Sequence, residues 1–245
     1  MTVETLTRLG NVRDAIVGIR EVLATGDLQA AVPACPGWTL HDLAGHLGNV
    51  HRWVRGAIVE GHPNTPPEAP PTGREPLLAW YDEGAGGLLD LLAATDPGAP
   101  CWTFGPAPKI AAFWFRRQAH EHAVHAHDAA ASQGTRRPIE TALALDGIDE
   151  VVRMFLPRQV RLGRIEPLTR SLEVRPDESG GTSWLLRGDG DGAGADGADA
   201  GAVVAGPAEA LYLLLWRRVG LGDPRLAVTG DRSAAEAVLG TPIVP

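Results

Sequence analysis

Phe113-Trp114-Phe115-Arg116-Arg117-Gln118-Ala119-His120-Glu121-His122-Ala123-Val124-His125-Ala126-His127-Asp128 holds four of the chain's eight histidines and contains neither Gly nor Pro. Its residue types are compatible with a helix. On a helix, residues four apart share a face, so Glu121 and His125 project side by side. At about 100° per residue, Trp114, Arg117, Gln118 and Asp128 lie within roughly 60° of that pair, whereas His120, His122 and His127 point elsewhere. A carboxylate and an imidazole spaced in this way are two of the ligands that a divalent cation such as zinc needs. A third must come from another part of the chain. The zinc-protease pattern His-Glu-x-x-His does not apply, because Val124 stands where the second histidine would be. Glu121 therefore reads as a ligand and not as a general base.

Working outward, residues 3–25 carry Leu6, Leu9, Val12, Ile16, Ile19 and Leu23 at helical spacing. A turn with two prolines, Val32 to Trp38, leads to Thr39, which with Asp42 forms a short capping box. The next helix spans residues 40–60, with Leu43, His46, Leu47, Val50 and Trp53 on one stripe. His46 sits inside that apolar face and is the candidate third ligand. His51, five residues on and about 140° around the helix, is its competitor. Asp42 has two readings, a partner that orients His46 or simply the helix cap. Residues 61–74 read as a Pro-rich linker with little structure of its own. Two further helices, residues 75–94 and 110–132, complete a four-helix set, and the core of such a bundle is a usual place for a metal site.

After Gly134 the pattern changes. A helix over residues 138–156 precedes strands at 171–175, 182–187, 202–205 and 226–229. Helices at 207–218 and 233–239 are interleaved with the later strands. The expected architecture is α plus α/β: a bundle over residues 1–135, then a small α/β domain over 136–245. A Gly/Asp-rich loop near 188–202 interrupts the second part. Its Asp-x-Asp-Gly pattern lacks the closing Glu and flanking helices of a calcium loop.

The chain has 245 residues and a formal charge of −8, which argues against a nucleic-acid surface. No apolar run is long enough to span a membrane, and Met1 to Thr5 lacks signal-peptide features. Two cysteines, Cys35 and Cys101, make no disulfide framework and read as structural. The expected location is a reducing cytoplasm. Three protein ligands with an open position are the catalytic arrangement of zinc. An acidic chain also needs a local cation to hold an anionic substrate. Arg117, one turn before Glu121, is one candidate. Arg217 and Arg218, at the end of an apolar helix, are others, although a helix-capping role is equally consistent.

Cys35-Pro36-Gly37-Trp38-Thr39, then Ala44-Gly45-His46-Leu47, then His120-Glu121-x-x-x-His125-x-x-Asp128 resembles the mycothiol-dependent maleylpyruvate isomerase family, within the wider DinB-like superfamily of metal-binding four-helix bundles. The Pro207 to Leu239 segment resembles that family's C-terminal α/β domain, similar in shape to sterol carrier domains. The resemblance implies metal ligands at His46, Glu121 and His125, and a functional arginine in the second domain, for which Arg217 or Arg218 is the candidate. It implies mycothiol as a thiol cofactor and a small-molecule electrophile as substrate, with either isomerisation or thiol transfer as the reaction. The rival classes are a non-catalytic binding protein and a metal-dependent hydrolase. Neither a nucleic acid nor a membrane is an expected partner, and a monomer or small homo-oligomer is expected.

Overall fold

Thr39 starts the helix that carries His46. Its hydroxyl accepts the Asp42 N–H, and the Asp42 carboxylate accepts the Thr39 N–H at 2.8 Å, a complete capping box. Asp42 is thereby the helix cap, and those same hydrogen bonds hold its carboxyl below the usual range. In the computed structural model, which describes residues 1–188 and 200–245, this helix (α2) covers Leu40–Arg55 and continues as one π-helical turn, Gly56–Glu60. With it stand α1 (Val3–Thr25), α3 (Arg74–Ala94) and α4 (Ala112–Ser132). In this four-helix bundle α1 packs on α3 and α4, and α2 packs on α3 and α4.

The chain divides into two compact units, Met1–Pro138 and Ile139–Pro245. In the first, α4 is buried on nearly every side, including Arg117, Gln118, His120, His122, His125 and Asp128. Buried polar groups are costly unless paired, so this helix places its charged and aromatic nitrogen groups against one another. The α1 stripe is buried as expected except for Leu6, which is exposed.

Helices α2 and α3 approach closely at two glycines. A Cβ on Gly48 would lie 2.1 Å from the Trp80 ring, and one on Gly84 would lie 2.5 Å from the Arg52 guanidinium. That guanidinium stacks 4.3 Å over the Trp80 ring. Gly48→Ala is accordingly expected to destabilise the protein by about 1–3 kcal/mol through overpacking, measured as a lower urea midpoint. An unchanged midpoint would mean that Trp80 swings away freely.

The Pro-rich segment after α2 has no regular structure, but it is more constrained than its composition suggests. Asn49 clasps it, donating to the Glu68 carbonyl at 2.9 Å and accepting the Glu68 N–H at 2.7 Å. Pro70 fills the space beside Gly45, and His41 bonds the Pro71 carbonyl.

The second unit begins with α5 (Thr141–Glu150), a π-helical turn at Val151–Phe155 and α6 (Leu156–Arg161). The expected single helix is thus a chain of three helical pieces. Among the described residues four strands follow: β1 (Leu168–Pro176), β2 (Trp184–Gly188), β3 (Ala202–Gly206) and β4 (Ala227–Gly230). They form a mixed sheet in the order β2-β1-β3-β4, parallel only between β1 and β3. Helix α7 (Ala208–Leu215) joins β3 to β4, and α8 (Arg232–Gly240) follows β4. The Gly/Asp-rich stretch at 189–199, and with it the calcium-loop pattern, lies outside the described residues. No helix among the described residues is long and apolar enough to cross a membrane.

Candidate metal centre

His46 of α2 reaches across to α4, where its Nε2 lies 2.9 Å from Glu121 Oε1. His125 Nε2 lies 3.5 Å from the same oxygen. One donor atom from each of His46, Glu121 and His125 falls within 4.8 Å of the others. The two imidazole rings meet edge to face, with centroids 5.0 Å apart. Two imidazole nitrogens and one carboxylate oxygen form a donor set suited to a catalytic zinc ion.

Glu121 and His125 are each held from behind. Glu121 uses its other oxygen, Oε2, to accept a hydrogen bond from Arg117 at 2.9 Å. Burial raises the Glu121 pKa, but hydrogen bonds from His125 and His46 and the neighbouring His125 and Arg117 charges outweigh it. The net result lies well below the usual carboxylate range, so the group is ionised. His125 donates from Nδ1 to Asp128 Oδ2 at 2.9 Å, which turns Nε2 toward Glu121. Burial lowers the His125 pKa, and the contacts with Asp128 and Glu121 overcome that and raise it. A carboxylate behind a histidine in this way fixes the tautomer and raises ligand basicity.

Arg117 differs from its expected role as a substrate handle. Its side chain is only 4% exposed and its charge is committed to Glu121. Arg117→Ala is expected to cost about 3 kcal/mol, because it leaves a buried carboxylate short of its cation. A urea unfolding comparison checks this, with Arg117→Lys recovering part of the loss. Equal stability of wild type and Arg117→Ala would show that His46 and His125 suffice to hold Glu121.

His51 does not join the donor set. Its Nε2 pairs with His122 Nε2 at 2.9 Å, and the rings are coplanar within 3°. Arg217 and Arg218 belong to the second unit and end α7. The Arg217 N–H bonds the Leu214 carbonyl, the Arg218 N–H bonds the Leu213 carbonyl, and Arg217 adopts φ 62°. That is a Schellman-type cap with arginine where glycine is usual. The Arg217 guanidinium also donates to the Gly240 carbonyl at 3.1 Å, and that of Arg218 to the Trp216 carbonyl at 2.7 Å.

Helical periodicity places Asp128 on the Glu121 and His125 face, and the structure makes it the partner of His125. The signal was present in the acid three residues after His125. Two residues of the Pro-rich turn, Cys35 and Trp38, also come to lie beside the donor set. The Cys35 thiol donates to Asp128 Oδ2 at 3.8 Å, and Cys35, His125 and Asp128 form a second cluster of donor atoms within 4.8 Å. Trp38 packs against both imidazole rings, its centroid 5.0 Å from that of His46 and 6.4 Å from that of His125.

A helical bundle in which His46, Glu121 and His125 could hold a metal ion defines the class only in outline, and comparison with known proteins makes the placement specific. Residues 9–130 match the profile described as the mycothiol maleylpyruvate isomerase N-terminal domain, and residues 142–237 match the MDMPI C-terminal domain. The chain belongs to the mycothiol-dependent maleylpyruvate isomerase family. It shares its fold with the crystal structure of the mycothiol-dependent maleylpyruvate isomerase (TM-score 0.59, 17% identity), over 94% of this chain and 96% of that one. A histidine-to-alanine variant of that enzyme matches with the same figures, TM-score 0.59 and 17% identity over 94% and 96% of the two chains. No curated protein matches the chain by sequence.

Proposed function

We propose that the protein is a metal-dependent enzyme that uses mycothiol as nucleophile to isomerise a maleyl-type electrophile. In this reading, addition of the thiolate makes the double bond single, rotation follows, and elimination gives the trans product. The observation that carries the reading is the gathering of His46 Nε2, His125 Nε2 and Glu121, with Glu121 braced by Arg117 and His125 by Asp128. When bound there, a divalent cation such as zinc supplies the Lewis acidity that keeps a thiol sulfur ionised at neutral pH.

The chain's own residues do the rest. Glu121 contributes a fixed negative charge, and Arg117 keeps that carboxylate from rotating away. Asp128 holds the His125 proton on Nδ1, leaving Nε2 as the donor.

The test is metal content on purified protein, together with turnover of maleylpyruvate with and without mycothiol. One divalent ion per chain and turnover only with thiol support the reading. Turnover without thiol would favour hydrolysis by bound water, and a stable thiol conjugate as the final product would favour transfer. Metal-free protein that binds small molecules without turnover would make it a binding protein.

A further inference from the structure

Among the groups that touch the donor set, burial separates two kinds. Arg117 and Asp128 are sealed, with side chains 4% and 0% exposed. The His46 side chain is 32% exposed, and Trp38 is half-buried beside it. The side of the donor set open to a small molecule is therefore the side bounded by Trp38.

The indole is placed firmly there. Gly37 turns the chain at φ 84°, the Trp38 N–H donates to the Cys35 carbonyl at 3.0 Å, and the Trp38 carbonyl accepts the Val32 N–H at 2.9 Å. Its ring is tilted 46° to His46 and lies within 23° of parallel to His125. The indole N–H matters here for its place beside His46 and His125. Those of Trp53, Trp80, Trp114 and Trp184 each donate to a protein oxygen. That of Trp38 has no such partner among the described residues, and it is not one of the buried unpaired atoms. A rigid aromatic face with a free donor beside a reactive site presents apolar contact and one directed hydrogen bond.

We propose that Trp38 contacts the electrophile at its ring edge, with its N–H directed to the conjugated carbonyl oxygen. This rests on the thiol-dependent reading above. As the thiolate forms the S–C bond, the π pair of the double bond moves through the conjugated system to that oxygen, which becomes an enolate. The indole N–H donates to the oxygen where this charge develops. After rotation the pair returns, the C–S bond breaks and the thiolate leaves, with no net oxidation or reduction. A donor aimed at developing charge acts mainly on the rate and not on ground-state binding.

Three forms of the full chain test this: wild type, Trp38→Phe and Trp38→Ala. Trp38→Phe keeps a ring and loses the donor, so kcat for maleylpyruvate with mycothiol should fall by roughly 10- to 100-fold with KM nearly unchanged. Trp38→Ala should also raise KM, and metal content should match wild type in both. A readout independent of turnover is the indole ¹⁵N–¹H spectrum during Co²⁺ loading. The Trp38 signal, identified by its absence from Trp38→Phe, should be displaced more than the other six. Normal kcat in Trp38→Phe, or an unmoved Trp38 signal with one Co²⁺ bound, would overturn the role of Trp38 and leave the metal reading standing. Failure of the wild type to take up any metal would overturn both. If Trp38→Ala does not fold, Trp38→Phe and the Co²⁺ titration decide alone.

Discussion

His46→Ala is expected to lose metal affinity by about 100-fold or more and to lose thiol-dependent turnover with it. Removing even a partner that supports a ligand typically costs 10- to 100-fold, and here one of three ligands goes. Helical content should not change. The cap of α2 is made by Thr39 and Asp42, and its apolar stripe by Leu40, Leu43, Leu47 and Val54, all fully buried. Metal analysis beside circular dichroism separates the two effects. Full occupancy in His46→Ala would point to the other donor cluster, Cys35 with His125 and Asp128, and Cys35→Ser in the same background would then release the ion. The competing assignment to His51 has lost its geometric basis, since that ring is turned to His122.

Much of the bundle was readable because each helix announces itself locally. The spacing of Leu9, Val12, Ile16, Ile19 and Leu23 identifies α1, and the Thr39/Asp42 box marks the start of α2 to the residue. The pairing of Glu121 with His125 follows from helical periodicity alone, and a polar ring inside an apolar stripe singles out His46. The remainder depends on which faces meet. Periodicity places Arg117 on the Glu121 face but does not say that the side chain is buried, and burial turns a presumed substrate handle into a brace. Cys35 and Trp38 arrive from a turn about ninety residues before Asp128, and no local pattern encodes that contact. The two π-helical turns were likewise unreadable, since a π turn keeps the composition of the helix it extends.

The pair of histidines next to the donor set has a consequence for stability. His122 Nδ1 faces the Gln118 carbonyl at 2.8 Å, an acceptor, so the ring carries its proton on Nδ1 and offers a lone pair at Nε2. His51 must then donate from its own Nε2, which leaves its Nδ1 a buried acceptor with no partner. Both rings are neutral. Burial pushes His122 down to about 4, against the hydrogen bond to the Gln118 carbonyl, and burial followed by the His122 charge holds His51 well below its ordinary value. Unfolded histidine takes up a proton near pH 6.5. The contribution of the pair is therefore complete above that pH. It declines as pH falls, because the unfolded chain binds protons that the folded core refuses. From 6.5 to 4 the loss is about 3 kcal/mol for His122 alone. His125 runs the other way, its raised pKa adding stability as pH falls toward 6.5 and nothing further below. Metal-free protein should thus lose several kcal/mol between pH 6.5 and 4 in urea unfolding. The double replacement His51→Leu with His122→Leu, which removes both partners together, should lose less over the same range, by more than the roughly 3 kcal/mol of His122 alone. Parallel pH profiles for the two proteins would mean that the pair opens to water and titrates as it does in the unfolded chain.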